Sequence, residues 1–271
     1  MDNSPSRKVT EREACVFLST YAAWLLGCGA TCIRTEKNVR RMAKALGLDV
    51  DISIITSHVH LCVIDRDNGK THDHMERIRK HAISFDINTQ LSRLSWELAD
   101  GKISFHEARE LFERIIQTPP ANRWLVLLLV SVANMSFCRL FGGDTIAMGI
   151  VFAATMAGYL LKQIMLDDKR DVRLVFFTCA FFSSVIAACG HLFHWGDTPE
   201  VALGTSVLYL IPGIPYINSV SDMLDGHYLC SISRLADALV LTACLSTGMC
   251  GGILLMGLKL APTHEYLGKS S

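Results

Sequence analysis

The feature that most constrains this 271-residue chain is an abrupt loss of charge after Arg123. Residues 1–123 hold 18 Lys/Arg and 16 Asp/Glu, whereas the longer remainder holds only 8 and 10. Beyond that point lie five uncharged stretches: Trp124–Cys138, Thr145–Leu161, Leu174–Gly196, Val201–Ser221 and Ala238–Leu258. A helix needs about 20 apolar residues to cross the hydrocarbon, and about 17 at the least. The last three stretches meet this directly. The second is marginal, and the first reaches it if Arg139 snorkels to the interface. A large soluble helical core would need polar faces that these segments lack. The expected fold is therefore a five-helix transmembrane bundle, with spans near 124–141, 145–163, 173–194, 199–217 and 236–258. It follows a small α+β domain over 1–123 and precedes a short tail over 259–271.

Orientation follows from the short loops. Lys162, Lys169, Arg170 and Arg173 separate the second and third segments, while 194–200 contains no Lys or Arg. The positive-inside rule places the first loop, and residues 1–123, in the cytoplasm and the C-terminus outside. Arg139, Lys259 and Lys269 fall on the outer side and weaken the bias slightly. With 26 basic against 26 acidic residues there is no basic field for nucleic acid. The ten cysteines lack any C-x-x-C spacing and lie largely in apolar runs, so they read as reduced structural residues.

Within the charged half, Ala14–Ile33 is also free of charge and long enough to span. Leu25-Leu26-Gly27-Cys28 even imitates a lipoprotein cleavage site. Glu11 and Glu13 at its leading edge, and its diluting Ser19, Thr20 and Tyr21, favour a half-buried helix of the soluble domain. Glu36–Leu46 reads as a helix stopped by Gly47. Asp51–Thr56 and Val59–Ile64 read as strands, and an Asp67-Asn68-Gly69 turn leads to a third through Met75–His81. Helices follow over Ile87–Ala99 and Ser104–Ile116, the second with capping-box spacing at Ser104 and Glu107. Asp100-Gly101-Lys102-Ile103-Ser104 resembles half of a calcium loop, but the earlier ligand positions would be Trp96 and Leu98, which offer no oxygen. His58/His60 and His72/His74 recur at i, i+2 with no fixed third ligand, so no metal or other cofactor is expected. Hydrolase and P-loop motifs are missing from the sequence.

Chemistry concentrates at Pro212-Gly213-Ile214-Pro215-Tyr216-Ile217-Asn218-Ser219, followed by Asp222 and Gly226. Two prolines around a glycine break a helix. Broken backbone at membrane depth survives where protein or a watery cavity satisfies it. A half-helix starting near Pro215 would aim its amides at an anion, helped by Asn218 and Ser219, with Asp222 taking a proton or co-ion. Arg234 reads either as an inner-face anchor or as a partner for a substrate carboxylate. A kinked helix with a solvated Asp222 is the competing reading.

Gly29-Ala30-Thr31-x-x-Arg34-Thr35-Glu36, Phe85-Asp86-Ile87-Asn88 and the Pro212–Asp222 segment occur in the order that resembles the threonine/serine exporter-like (ThrE) family. The likeness runs over roughly residues 10–258. It implies a secondary exporter of a small carboxylate, either threonine/serine or a succinate-like dicarboxylate, and no enzyme. Single-chain members carry a second membrane module. The end at Ser271 therefore implies a two-component form working with a smaller, YjjB-like membrane subunit in the bilayer of the bacterial inner membrane, with a homo-oligomer as a further expectation. The matched positions Gly29, Thr31, Arg34, Glu36, Pro212, Gly213, Pro215, Asn218 and Asp222 are candidates for function. A membrane-tethered sensor or scaffold is the alternative.

Overall fold

The computed structural model describes residues 10–65, 69–193 and 195–257. The expected turn at Asp67-Asn68-Gly69 and the tail 259–271 thus fall wholly or partly outside the described residues. The chain divides into two compact units, Met1–Pro119 with Gly213–Asp237, and Pro120–Pro212 with Ala238–Ser271. The boundary expected at Arg123 lies a few residues earlier. More importantly, the α+β unit takes in Gly213–Asp237, which sequence reading divided among a fourth span, a loop and the start of the fifth.

In the first unit, α1 (Glu11–Gly27) packs on a three-stranded antiparallel sheet of β1 (Leu48–Ile55), β2 (His58–Asp65) and β3 (Thr71–Arg77), in the order β1-β2-β3. The register pairs Val50 with Val63, Ile52 with Leu61 and Ile54 with Val59, so one face turns apolar. α2 (Cys32–Ala45), α3 (Phe85–Ala99) and α4 (Phe105–Ile116) complete the layer. The core gathers Leu18, Tyr21, Leu25, Val39, Met42, Leu61, Leu91 and Phe112. Because α1 is covered by sheet and helices together, most of its circumference is buried, which explains a charge-free run that is no membrane span. The Tyr21 hydroxyl is satisfied by donating to the Leu91 carbonyl at 2.9 Å and accepting from Asn38 at 3.1 Å.

Boundaries differ from expectation where capping decides them. α1 ends at Gly27, and α2 starts at Cys32, four residues before Glu36. Ala30 N–H bonds the Leu25 carbonyl and Gly29 N–H the Leu26 carbonyl, a Schellman close with Gly29 at φ +90°. The third strand occupies Thr71–Arg77, earlier than Met75–His81. The Ser104–Glu107 capping box is formed. His72 and His74 pair with Val63 and Leu61, while His60 pairs with Met75, so the two histidine pairs face opposite sides of the sheet. Among the described residues no three His, Cys, Asp or Glu side chains gather as a metal site.

The second unit is helical: α5 (Arg123–Leu140), α6 (Thr145–Asp167), α7 (Val172–Leu192) and α8 (Pro199–Thr205), then a 3-10 turn at Leu208–Leu210. Asn122, Asp144 and Asp171 cap α5, α6 and α7 from just outside each apolar run. The chain breaks at Ile211–Pro212 and resumes as α9 (Gly213–Leu224), with α10 (Tyr228–Leu255) following. Four described helices, α5, α6, α7 and α10, are long and apolar enough to cross a membrane, and the interrupted α8–α9 pair would make a fifth. This is a multi-pass helical membrane protein with a small α+β unit. In α10, Gly248 and Gly252 stand at four-residue spacing against the Phe177 and Phe181 carbonyls and Ser184 of α7, close backbone approach of the small-residue kind.

Candidate functional site

The break comes where the prolines require it. Pro212 precedes α9, and Pro215 sits in its first turn, where a missing N–H costs no helical bond. The helix begins at Gly213, two residues ahead of the start expected near Pro215.

Downstream, one face of α9 meets the α1–α2 corner. Asp222, fully buried, accepts the backbone N–H of Cys32 at 2.8 Å. Cys32 is the first residue of α2, and Thr31 before it has cap backbone angles but no side-chain cap bond. The carboxylate thus caps α2 from 190 residues away and opposes the positive end of its dipole. Arg234 of α10 pairs with the other Asp222 oxygen at 3.0 Å and donates to the Ala30 carbonyl at 2.8 Å. Asn218 donates to the Gly29 carbonyl at 2.8 Å. The positions sequence reading separated into two candidate groups therefore form one cluster.

Its periphery is equally tied. Ser219 and Ser231 exchange hydroxyl-to-carbonyl bonds at 2.9 and 2.7 Å, clasping α9 to α10. His227 donates its N–H to the Asp222 carbonyl at 2.8 Å, and its ring lies 3.6 Å from Glu36, which also holds Arg40 at 2.9 Å. Lys80 forms an ion pair with Asp237. The Cys32 thiol is pushed up by its contact with Cys230, by burial and by the Asp222 charge. Arg34 is exposed on the first turn of α2 and makes no bond among the described residues.

Chemically, this arrangement neutralises rather than offers charge. Asp222 Oδ1, Asn218 Nδ2 and Arg234 Nη2 bond backbone groups, while Asp222 Oδ2 and Arg234 Nη1 face each other as an ion pair with no hydrogen bond of their own.

Lys162, counted above among the charges that separate the second and third uncharged stretches, and Asn134 both lie within helices. Asn134 donates to Thr155 at 2.6 Å and to the Thr205 carbonyl at 3.1 Å, and Ser183 bonds the Tyr209 hydroxyl at 2.8 Å. α6 extends to Asp167 and so includes Lys162. The available signal was polar residues inside apolar runs.

The family model described as "Putative threonine/serine exporter" matches residues 16–256, through both units. The chain belongs to the ThrE family. It is 27% identical over 261 residues to a protein of Klebsiella aerogenes named "Probable succinate transporter subunit YjjP", covering 95% of this chain and 98% of that one. The Escherichia coli K12 protein of the same name is 27% identical over 87% of this chain and 92% of its own. A "Probable threonine/serine exporter" of Mycobacterium tuberculosis is 26% identical over 92% of this chain, which spans only 46% of that protein. No solved structure matches.

Proposed function

We propose that this ThrE-family chain is one subunit of a gradient-driven exporter of a small carboxylate, succinate-like or threonine/serine, in the bacterial inner membrane. A second membrane subunit completes it, and the α+β unit faces the cytoplasm. The observation that carries this reading is the family match, continuous from α1 to the end of α10, joined to relatives named as succinate transporter subunits over nearly their whole length. Lys169 and Arg170 between α6 and α7, with Arg173 at the start of α7, against no Lys or Arg between α7 and α8, support the orientation. The word subunit in the names of both enterobacterial relatives supports a second component.

On this reading the candidate residues divide by role. Pro212, Gly213 and Pro215 interrupt the chain. Asn218, Ser219, Asp222 and Arg234 fasten α9 and the start of α10 to Gly29, Ala30 and Cys32, a latch that sets where α10 begins. Thr31 leaves the cap position to Asp222, and Glu36 holds His227. Arg34 is the exposed charge of the group.

The test is efflux from cells loaded with succinate or threonine, expressing this chain alone and with its second subunit. Efflux above the vector control is expected with both subunits, and the Pro215→Ala/Asn218→Ala variant should lose it while staying in the membrane. No efflux of either solute would end the exporter reading. Unchanged efflux in the variant would end the latch.

A further inference from the structure

The helical unit holds a cation, Lys162, that the Asp222 latch does not use. Lys162 stands on α6, five residues before its end at Asp167. Lysines near the ends of spanning helices ordinarily reach outward to the interface. Lys162 turns the other way. Its Nζ lies 5.3 Å from the ring centre of Tyr159, one turn back along α6, and 5.5 Å from that of Phe176 on α7. This follows the lean of helical side chains toward the N-terminus, which here means away from the nearer end of the helix.

Among the described residues, the other Lys/Arg side chains of α5–α7 have polar partners: Arg123 with Asp167, Arg139 with the Gly143 carbonyl and Arg173 beside Asp171. Lys162 has aromatic faces and neither a carboxylate nor a hydrogen-bond acceptor. The half-buried ammonium has two ring faces beside it and no acidic group to neutralise it among the described residues. An anion is the missing counterpart. Hydroxyls lie within the same neighbourhood: the Tyr159 ring is 6.0 Å from that of Tyr209, whose hydroxyl bonds Ser183. A side chain at Gly158 would collide with that hydroxyl pair.

We propose that Lys162 binds the carboxylate of the transported solute, with the Tyr209–Ser183 pair as neighbouring hydrogen-bonding groups. The inference rests on the exporter reading and names the group that meets the solute. It gives the anion an unpaired cation in the helical unit, where the Asp222 latch offers none.

The test uses membranes carrying the full chain with its second subunit. A membrane-permeant amine-acylating reagent is applied, and the Lys162 peptide is followed by mass spectrometry. Acylation is expected in solute-free membranes. Succinate or threonine should slow it at least fivefold, and succinamide, which lacks carboxylates, should not. Lys162→Gln should lower efflux at least tenfold at unchanged membrane level, and Lys162→Arg should retain part of it. With efflux by the wild type present, three results would each overturn the inference while leaving the exporter standing: no acylation, no protection by either solute, or equal protection by succinamide. Absence of wild-type efflux overturns both.

Discussion

The carboxylate of Asp222 occupies the capping position of α2, 2.8 Å from the Cys32 N–H, although Thr31 stands at the N-cap in sequence. A side chain from α9 thereby completes a helix of the N-terminal segment, and the guanidinium of Arg234 neutralises it from α10.

Breaking that pair from one side should be costly. Asp222→Ala leaves Arg234 charged with 22% of its side chain exposed, and removing one member of a buried pair costs about 3–5 kcal/mol. Asp222→Leu with Arg234→Met should recover part of this, because no lone charge remains. Thermal unfolding in detergent, read for Asp222→Leu, Arg234→Met and their double, decides it. Strictly additive losses would mean that the two side chains do not act as a pair.

Gly29 and Gly47 both have positive φ, at +90° and +74°, but their surroundings differ. A Cβ at Gly29 would lie 3.1 Å from Ile83, whereas nothing lies within 4 Å at Gly47. Alanine in the left-handed region costs about 1–2 kcal/mol. Gly47→Ala should show that cost alone, and Gly29→Ala should show more. Equal melting shifts would remove any role for the Ile83 contact.

At Gly158 the limit is space. An added methyl would meet Ser183 Oγ and the Tyr209 hydroxyl, and overpacking costs about 1–3 kcal/mol. Gly158→Ala should therefore lower the unfolding temperature, and adding Ser183→Ala should restore some of it. A double variant no better than the single would place the clash elsewhere.

His81 supplies a pH dependence in the α+β unit. Its ring stacks on Trp24 at 4.0 Å, and burial, followed by the Arg79 charge, lowers its pKa below the ordinary histidine value of 6.5. The unfolded chain then binds the proton more readily, so stability present at neutral pH is lost as pH falls below 6.5 toward the folded value. Replacing His81 with Gln should flatten the melting-temperature profile between about pH 5 and 7 relative to wild type. An unchanged slope would assign the acid sensitivity to other groups.

Much of the local structure was readable without coordinates. The helices over 85–99 and 105–116, the Ser104–Glu107 cap, the stop at Gly47 and the break at Pro212 all depend on neighbours within a few residues. The site was only half readable. Gly29, Asn218, Asp222 and Arg234 stood out as candidates, yet nothing in their spacing says that an amide at 218 bonds a carbonyl at 29.

By itself, then, the amino-acid order determined the contrast between a charged half and an apolar half, the type of most elements and where prolines interrupt them. These follow from side-chain hydration and short-range backbone sterics. Tertiary structure decided that the apolar α1 is the centre of a protein core, and that Gly213–Asp237 folds with the N-terminal unit. Hydrophobicity records only that a segment avoids water. Whether protein or lipid covers it, and which distant peptide group a buried carboxylate will meet, depends on packing between parts of the chain that carry no local trace of one another.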